Sequence, residues 1–440
     1  MSSSATSART PVAILGAGLT GMSAALELGR RGVPYRIFEK LAQPGGHAVT
    51  TEDNGFRFDR TGHLLHLKSD ALRAEVLDWI GPDHLQIQRR SVIWSNGVYT
   101  RYPFQANTFG LPPQVAYECL QGFLAAHFAR DKAQPTNFEE FCLYHFGEGI
   151  SRHFMIPYNS RLWGVHPREI TSSWCQRFVP LPRLEDVVAG AVGLNDRELG
   201  YNSNFIYPRL GIGVLAESMA RRLPTLELER SPLRIELATR RLQFENERVP
   251  FDVLLSSIPL PRLLELIDEV PEPVRQAADK LRCSHLHYLD VALSRQSGKD
   301  FHWAYVPEAK YPFYRVGCYS HFSAALAPAG QSSLYVELAD RSPPDLERLL
   351  PEVARGLIEM GVIDSADEIQ FARTRRIDYA YVIFDHDYFA ALDVIRPFLE
   401  ASRIISSGRY GDWNYSAMED AILFGKAAAE RAIELRQNPP

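Results

Sequence analysis

The stretch "PVAILGAGLTGMSAALELGRRG", residues 11–32, decides the fold expected for this chain. Its apolar run Val12–Leu15 predicts a buried strand, a glycine-rich turn follows, and the amphipathic remainder predicts a helix. In such a turn Gly16 permits the tight bend, Gly18 lets backbone N–H groups approach a pyrophosphate, and Gly21 lets the helix pack closely on the strand. The phosphates would lie at the positive end of the helix. The stretch therefore predicts a dinucleotide-binding βαβ unit.

A second predicted strand, Tyr35–Phe38, ends at an acidic residue. Glu39 lies eighteen positions after Gly21 (39 − 21), close to where a ribose-binding carboxylate is expected in a dinucleotide fold. A glycine-rich turn without any ligand stays as the alternative. A further pair, Gly45-Gly46, follows the acid, and GFRFDRTGHLLH (residues 55–66) predicts a strand with a polar turn.

This pattern resembles the FAD-binding folds of the amine oxidase, protoporphyrinogen oxidase and UDP-galactopyranose mutase flavoproteins. The resemblance implies that Glu39 binds the adenosine ribose and that the backbone of Gly45 and Gly46 lies near the flavin and its phosphates. It also places His63 at the flavin face, whereas a purely structural role stays open for His63 and for His66.

The composition excludes several classes of protein. A formal net charge of -5 gives no basic surface for nucleic acid, so an anionic ligand must be held by locally placed cations. The 5 cysteines are scattered and have no metal-like spacing with histidine, which indicates reduced thiols, no metal site and a cytoplasmic protein. The polar opening MSSSATSART does not have the apolar core of a signal peptide, and no apolar stretch is long enough to cross a membrane.

The expected fold class is α/β, with a Rossmann-like FAD-binding domain of the glutathione reductase type, a helical insertion domain and an antiparallel β-sheet substrate domain. Helical periodicity in residues 111–180 and strand-like runs in residues 285–385 indicate the two insertions. A predicted helix at residues 346–360 could cover either the sheet or the cofactor domain. The predicted division is a first FAD-binding segment 1–100, a helical insertion 101–204, a second FAD-binding segment 205–284, a sheet domain 285–390 and a third FAD-binding segment 391–440.

The third segment contains SSGRYGDWNYSAMEDAILFGKAAAE, residues 406–430, in which a strand runs into glycine and arginine before a helix. A helix start beside an arginine is a place for an anion. By the resemblance this anion is the FAD pyrophosphate, contacted by Arg409, with Met418 and Glu419 beginning a helix beneath the flavin. A surface ion pair is the alternative for Arg409.

Several short stretches are similar to UDP-galactopyranose mutase in particular. They are RYPFQANTF (101–109), YNSRLWGVHPREITSSWCQRF (158–178), YPFYRVGCYS (311–320), YAYVIFD (379–385) and GRYGDWNYSAMED (408–420). The resemblance implies that Tyr158 and Trp163 flank a nucleotide base and that Arg177 and Arg315 clamp a substrate diphosphate. Tyr158 and Trp163 could instead be ordinary core aromatics.

The chain also departs from the mutase pattern. An acidic residue expected two positions after Tyr415 is Ala417, and only Arg183 is available as a second arginine near Arg177.

The resemblance implies three sets of functional residues. The catalytic set is Arg177, Arg315 and His63. The substrate-binding set is Asn107, Phe109, Tyr158, Trp163, Arg177, Arg315, Tyr381 and Tyr415. The cofactor-binding set is Gly16, Gly18, Leu19, Thr20, Gly21, Glu39, Lys40, Gly45, Gly46, His47, His63, Gly408, Arg409 and Met418.

The activity implied by the resemblance is a flavin-dependent mutase that interconverts pyranose and furanose forms of a nucleotide sugar. Reduced flavin N5 would be the nucleophile on the anomeric carbon, FAD would be active in its reduced form, and a UDP-sugar would be the substrate. NAD(P)H or another reductant would bind transiently, polysaccharide biosynthesis would be the setting, and a homodimer stays open. The alternatives are an FAD-dependent oxidoreductase of the amine oxidase or desaturase type, and a flavin- or nucleotide-binding protein without catalysis.

Overall fold

The computed structural model describes residues 11–129, 133–175, 179–194 and 203–437. The strands are β1 Val12–Leu15, β2 Tyr35–Phe38, β3 Thr50–Asp53, β4 Phe56–Asp59, β5 His84–Gln88, β6 Ser91–Ser95, β7 Val98–Arg101, β8 Asn204–Pro208, β9 Leu226–Glu227, β10 Arg234–Glu236, β11 Arg241–Gln243, β12 Arg248–Pro250, β13 Leu254–Ser256, β14 Cys283–Leu293, β15 Trp303–Tyr305, β16 Phe313–Cys318, β17 Ser332–Leu338, β18 Ile369–Val382 and β19 Ile404–Ser406. The α-helices are α1 Leu19–Arg30, α2 Asp70–Ile80, α3 Pro113–Phe128, α4 Phe138–Ile150, α5 Ile156–Trp163, α6 Leu184–Ala191, α7 Gly213–Ala220, α8 Leu260–Leu266, α9 Glu272–Ala278, α10 Leu346–Glu359, α11 Tyr388–Ala401 and α12 Met418–Gln437. Within these described ranges, no helix combines the length and the apolar character that crossing a membrane requires.

A five-stranded parallel sheet carries the glycine-rich turn. Its strand order is β19-β13-β1-β2-β9, so strands from the beginning, the middle and the end of the chain lie side by side. The four residues of β1 are all buried, as expected for a parallel strand covered on both faces. Helices α1 and α12 pack against each other beside this sheet. The strands predicted at Val12–Leu15 and Tyr35–Phe38 are confirmed.

A seven-stranded sheet forms the second half of the molecule, in the order β18-β14-β17-β16-β15-β6-β7. Its pairs are antiparallel except β15 with β6, which run parallel. The strand-like runs predicted in residues 285–385 are therefore confirmed. Strands β6 and β7 also join this sheet, although the sequence analysis assigned residues 1–100 to the cofactor domain, because β6 pairs with β15 and β7 pairs with β6.

Helix α10 covers this antiparallel sheet. Its buried residues Val353, Ala354 and Leu357 belong to the same apolar cluster as Leu289 on β14 and Val336 on β17. The helix expected at residues 346–360 is therefore present and packs on the sheet, which decides between the two positions left open by the sequence.

The helical insertion contains α3, α4 and α5, and two arginines join it to the antiparallel sheet. Arg161 on α5 donates to the backbone carbonyls of Glu308, Tyr311 and Phe313 around the turn between β15 and β16. In the opposite direction, Nη2 of Arg341 donates at 2.7 Å to the carbonyls of Arg161 and Leu162 near the end of α5. These bonds fix the aromatic residues of α5 relative to β16.

Candidate active site

The turn after β1 leaves backbone donors at the start of α1. No side chain caps this N-terminus, and the first turn of α1 has no acidic residue. The backbone at Gly18 is extended, with φ -73° and ψ 176°, and no atom of a neighbouring segment lies within 4 Å of the position a Cβ would take there. Because first-turn N–H groups carry partial positive charge, this turn offers donors and open space to a phosphate group.

Close packing around the turn explains its other glycines. A Cβ on Gly21 would lie 1.9 Å from the carbonyl oxygen of Gly16, so only hydrogen fits there. Gly45 has φ +116° and pairs with Gly18 in an isolated bridge. A Cβ on Gly46 would lie 3.4 Å from the α-carbon of Gly18. The second glycine pair therefore packs directly against the first turn.

Glu39 lies at the carboxyl end of β2, next to the turn. One of its carboxylate oxygens accepts a hydrogen bond from the N–H of Ala17 at 2.8 Å, and the other accepts from the N–H of Leu41 at 3.0 Å. The side chain is buried, so these charge-assisted bonds hold it firmly. Lys40 is exposed. The ribose contact of Glu39 stays a prediction.

The third segment packs onto the beginning of α1. A Cβ on Gly408 would lie 2.5 Å from Oγ1 of Thr20, so this contact also requires glycine. The N–H of Gly408 donates to the carboxylate of Asp412 at 2.8 Å. Helix α12 begins at Met418, where the sequence predicted a helix start. The turn at Gly408 and helix α12 complete the parallel half of the site, which lies at the five-stranded parallel sheet.

Arg409 is held by backbone carbonyls. Its Nη1 donates to the carbonyl of Ser416 at 2.7 Å, and its Nη2 donates to the carbonyl of Ala380 at 3.0 Å. The guanidinium carbon lies 4.6 Å from the centre of the Tyr415 ring, a distance at which cation–π attraction operates. Arg409 thus links β18 to the third segment, and its contact with a bound anion stays a prediction.

His47 and His63 stack with ring centres 6.4 Å apart. The Nδ1 atom of each is buried and has no hydrogen-bond partner among the described residues. Burial lowers the pKa of His47 to about 3, and burial together with the charge of Arg409 lowers the pKa of His63 to about 4. Both rings are therefore neutral at pH 7, and each keeps a buried ring nitrogen that is not hydrogen-bonded to the described residues.

Arg315 on β16 forms a buried ion pair with Glu337, its register partner on β17. Its Nη2 donates to both carboxylate oxygens, at 2.6 and 2.7 Å, and to the hydroxyl of Tyr381 at 3.1 Å. The Glu337 side chain is 0% exposed and that of Arg315 is 19% exposed. The sequence analysis expected Arg315 to bind a substrate diphosphate, and the structure shows that Glu337 already balances its charge. The Nε of Arg315 is buried and has no partner among the described residues, so one donor edge is left.

Trp163 on α5 and two predicted substrate tyrosines lie together near this ion pair. The ring of Trp163 is 5.5 Å from that of Tyr381 and 6.0 Å from that of Tyr415, and the two tyrosine rings stack at 6.1 Å. Trp163 is almost completely buried, and its Nε1 has no hydrogen-bond partner among the described residues. The structure thus brings three predicted residues together with Arg315.

Tyr158 lies on the same helix and continues the aromatic cluster. Its ring is 5.2 Å from Tyr305 and 6.1 Å from Tyr314, and its hydroxyl is buried without a partner among the described residues. The sequence analysis missed Tyr305, Tyr314 and Glu337. Tyr314 could have been found as the neighbour of Arg315, whereas the position of Glu337 depends on strand register.

The segment after β7 places its two predicted residues differently. Asn107 is buried, and its Nδ2 donates to the carbonyl of Pro103 at 2.9 Å. Phe109 is 63% exposed and packs against Gly193, beyond α6, where a Cβ would lie 3.1 Å from the phenyl ring. Both substrate contacts stay predictions.

Arg177, the second arginine of the predicted clamp, lies outside the described residues. Arg183 is described, and its guanidinium pairs with Asp186 at 3.2 Å while its side chain is 57% exposed. Of the predicted pair, Arg315 is the member that lies within the described residues.

Comparisons with known proteins support a flavoprotein fold. A family model for the NAD(P)-binding Rossmann-like domain matches residues 14–78, which include the turn and the second glycine pair. A lycopene-forming phytoene desaturase from Pantoea ananas is 41% identical over 49 residues, 11% of this chain and 10% of that protein. The chain therefore matches about a tenth of that relative's length.

Solved structures match the chain over nearly its whole length. A reduced UDP-galactopyranose mutase has a TM-score of 0.90 and 27% identity, and the match covers 97% of this chain and 96% of the mutase. A protein assigned as a protoporphyrinogen oxidase from Exiguobacterium sp. 255-15 has a TM-score of 0.76 and 17% identity, with 98% and 99% coverage. A putrescine oxidase has a TM-score of 0.65 and 15% identity, with 97% and 99% coverage. Because the first similarity runs through the cofactor domain, the helical insertion and the sheet alike, the chain has the fold of a UDP-galactopyranose mutase-like flavoprotein.

Proposed function

We propose that this protein is an FAD-dependent mutase that interconverts the pyranose and furanose forms of a nucleotide sugar, with UDP-sugars as its first substrate class. The observation that carries the proposal is the grouping of Arg315, Tyr381, Tyr415 and Trp163, in a chain that is similar to UDP-galactopyranose mutase over 97% of its length.

The parallel half of the site fits FAD. The uncapped start of α1 and the open space at Gly18 suit a pyrophosphate. Glu39 lies at the end of β2, where a carboxylate that binds the ribose hydroxyls is expected. His47 and His63 each offer a buried ring nitrogen without a partner among the described residues. The reduced flavin would supply a nucleophilic nitrogen to the anomeric carbon of the sugar.

The antiparallel half of the site, which lies around Arg315 on the seven-stranded sheet, fits a nucleoside diphosphate. The Nε of Arg315 is buried without a partner among the described residues while its Nη2 is fixed by Glu337, so the guanidinium is oriented before any ligand arrives. A fixed guanidinium stabilises the charge that develops on a departing diphosphate and costs no reorganisation. In the proposal Arg177 is the second cation, and Trp163 and Tyr158 bind the base by stacking.

Net substrate oxidation is the second candidate, and one observation favours it. Because Glu337 already balances the charge of Arg315, the site can hold a neutral substrate without leaving a buried guanidinium unpaired. An amine or carbocyclic substrate would then reduce the flavin, and hydrogen peroxide would form in air.

The experiment is to purify the protein, record its visible spectrum, reduce it with dithionite and incubate it with UDP-galactose and related nucleotide sugars. We expect conversion of one ring form into the other without net oxidation. Arg315→Ala should keep FAD and lose UDP binding, because its loss removes the oriented cation.

Arg375→Ala is the matched control, since it also removes the arginine that pairs with a buried carboxylate, that of Asp290, and so reports general destabilisation. Conversion of no nucleotide sugar by the FAD-loaded, reduced protein would count against the mutase. Peroxide formation with an amine would favour the second candidate.

A further inference from the structure

Thr61, which precedes His63 in the chain, has an unusual backbone conformation. Its φ is +64°, in the left-handed region, and its side chain is buried. A β-branched residue rarely adopts this conformation, since its Cβ substituents crowd the backbone. Thr61 lies two residues after β4 and two residues before His63. Such backbone strain persists only where the surrounding structure holds it.

A tyrosine from the antiparallel half holds this backbone. The hydroxyl of Tyr319 donates to the carbonyl of Asp59 at 2.6 Å and accepts from the N–H of Thr61 at 3.1 Å, an N–H that is shared with the Asp59 carbonyl, also at 3.1 Å. Tyr319 is fully buried and directly follows β16, the strand that carries Arg315. One hydroxyl therefore ties the backbone before His63 to the strand of the predicted substrate cation.

The neighbouring residues of this segment are held as well. Nη1 of Arg60 donates to the carbonyl of Gly46 at 3.2 Å, which ties the segment to the second glycine pair. A Cβ on Gly62 would lie 2.6 Å from the hydroxyl of Tyr335, so the backbone there packs tightly on β17. Residues 59–63 thus have little freedom, and the left-handed Thr61 sets the direction in which the chain reaches His63.

We propose that Tyr319 is a positioning residue, whose hydroxyl holds Thr61 in the left-handed conformation and thereby sets the place of the His63 ring against the bound flavin. This inference rests on the flavin part of the proposed function. It does not require the nucleotide-sugar reaction.

The test compares Tyr319→Phe, Thr61→Gly and the double variant in the FAD-loaded protein. Tyr319→Phe should change the ratio of oxidised to reduced flavin at a fixed potential at least threefold, about 14 mV for a two-electron couple. Because glycine adopts the left-handed region without strain, Tyr319→Phe should have a much smaller effect in the Thr61→Gly background. Equal effects in the two backgrounds would overturn the proposal.

Tyr99→Phe is the matched control, since the partly buried Tyr99 hydroxyl also donates to a backbone carbonyl, that of Met360, in the apolar cluster beneath α10. It should leave the flavin potential unchanged. Hydrogen exchange of the Thr61 amide, measured without flavin, should become at least tenfold faster in Tyr319→Phe and stay unchanged in Tyr99→Phe. An unchanged exchange rate of the Thr61 amide in Tyr319→Phe would contradict the proposal. If the expected exchange rates are found in a protein that converts no nucleotide sugar, only the mutase reaction is refuted.

Discussion

Replacing Glu337 by glutamine tests the electrostatics of the site most directly. The substitution keeps the size of the side chain and removes its charge. Nη2 of Arg315 bonds both carboxylate oxygens at 2.6 and 2.7 Å, and the Glu337 side chain is 0% exposed, so water has no access to replace the lost charge. Removing one partner of a buried ion pair costs about 3–5 kcal/mol. Because glutamine still offers one acceptor oxygen, we expect a loss near the lower end, about 3 kcal/mol of unfolding free energy.

The same variant should bind UDP more tightly if the diphosphate lies at Arg315. Without Glu337 the guanidinium is left uncompensated, so an arriving anion recovers part of the lost energy. We expect at least a tenfold lower Kd for UDP, about 1.4 kcal/mol. Urea denaturation followed by circular dichroism measures the first effect, and calorimetric titration of UDP into the reduced protein measures the second.

Two further variants complete this experiment. Arg315→Met combined with Glu337→Gln removes both partners and should recover much of the stability, because no unpaired charge stays buried. Glu359→Gln, on a carboxylate that is 41% exposed, is the control and should change the unfolding free energy by less than about 1 kcal/mol. A Glu337→Gln protein with the urea midpoint of the wild type, or with weaker UDP binding, would refute the reasoning.

Three other predictions concern the cofactor half. Gly18→Ala should leave the urea midpoint nearly unchanged but weaken FAD binding, which is measured by absorbance at 450 nm. Gly21→Ala should lower the free energy of unfolding by about 1–3 kcal/mol, measured by the urea midpoint, because its Cβ would overlap a backbone carbonyl. Unfolded histidines bind a proton near pH 6.5, whereas folded His47 and His63 stay neutral down to about pH 3 and 4. The free energy of unfolding should therefore fall as the pH falls from 6.5 towards 4. In urea midpoints measured from pH 7.5 to 4.5, His63→Gln should make this fall less steep. Burial raises the pKa of Asp59 to about 7 from its ordinary 3.8, so the folded state keeps a proton that the unfolded chain releases. This carboxyl group therefore lowers the free energy of unfolding as the pH rises from 3.8 to 7. The same urea titration of Asp59→Asn should no longer show this decrease.

Local patterns in the amino-acid sequence were enough to predict several elements of the fold. The strands Val12–Leu15 and Tyr35–Phe38 and the strand-rich second half follow from apolar runs, whereas the helix start at Met418 was implied by the resemblance, and the structure confirms all of them. The glycine-rich turn could also be recognised, since a turn, a close backbone contact and a helix start each restrict the residue types within a few positions. The similarity to the mutase fold was visible in the order of its short motifs.

The arrangement of the site's charges and backbone depends on tertiary contacts, which no local pattern specifies. Glu337 became the partner of Arg315 because β16 and β17 pair in one register, and a shift of one residue would have turned the carboxylate to the other face. The left-handed Thr61 and its bond to Tyr319 likewise join segments from different halves of the fold. Local sequence patterns report which face of an element is apolar, but they do not report which element lies opposite. The pairing of buried polar groups therefore appears only when the chain is folded.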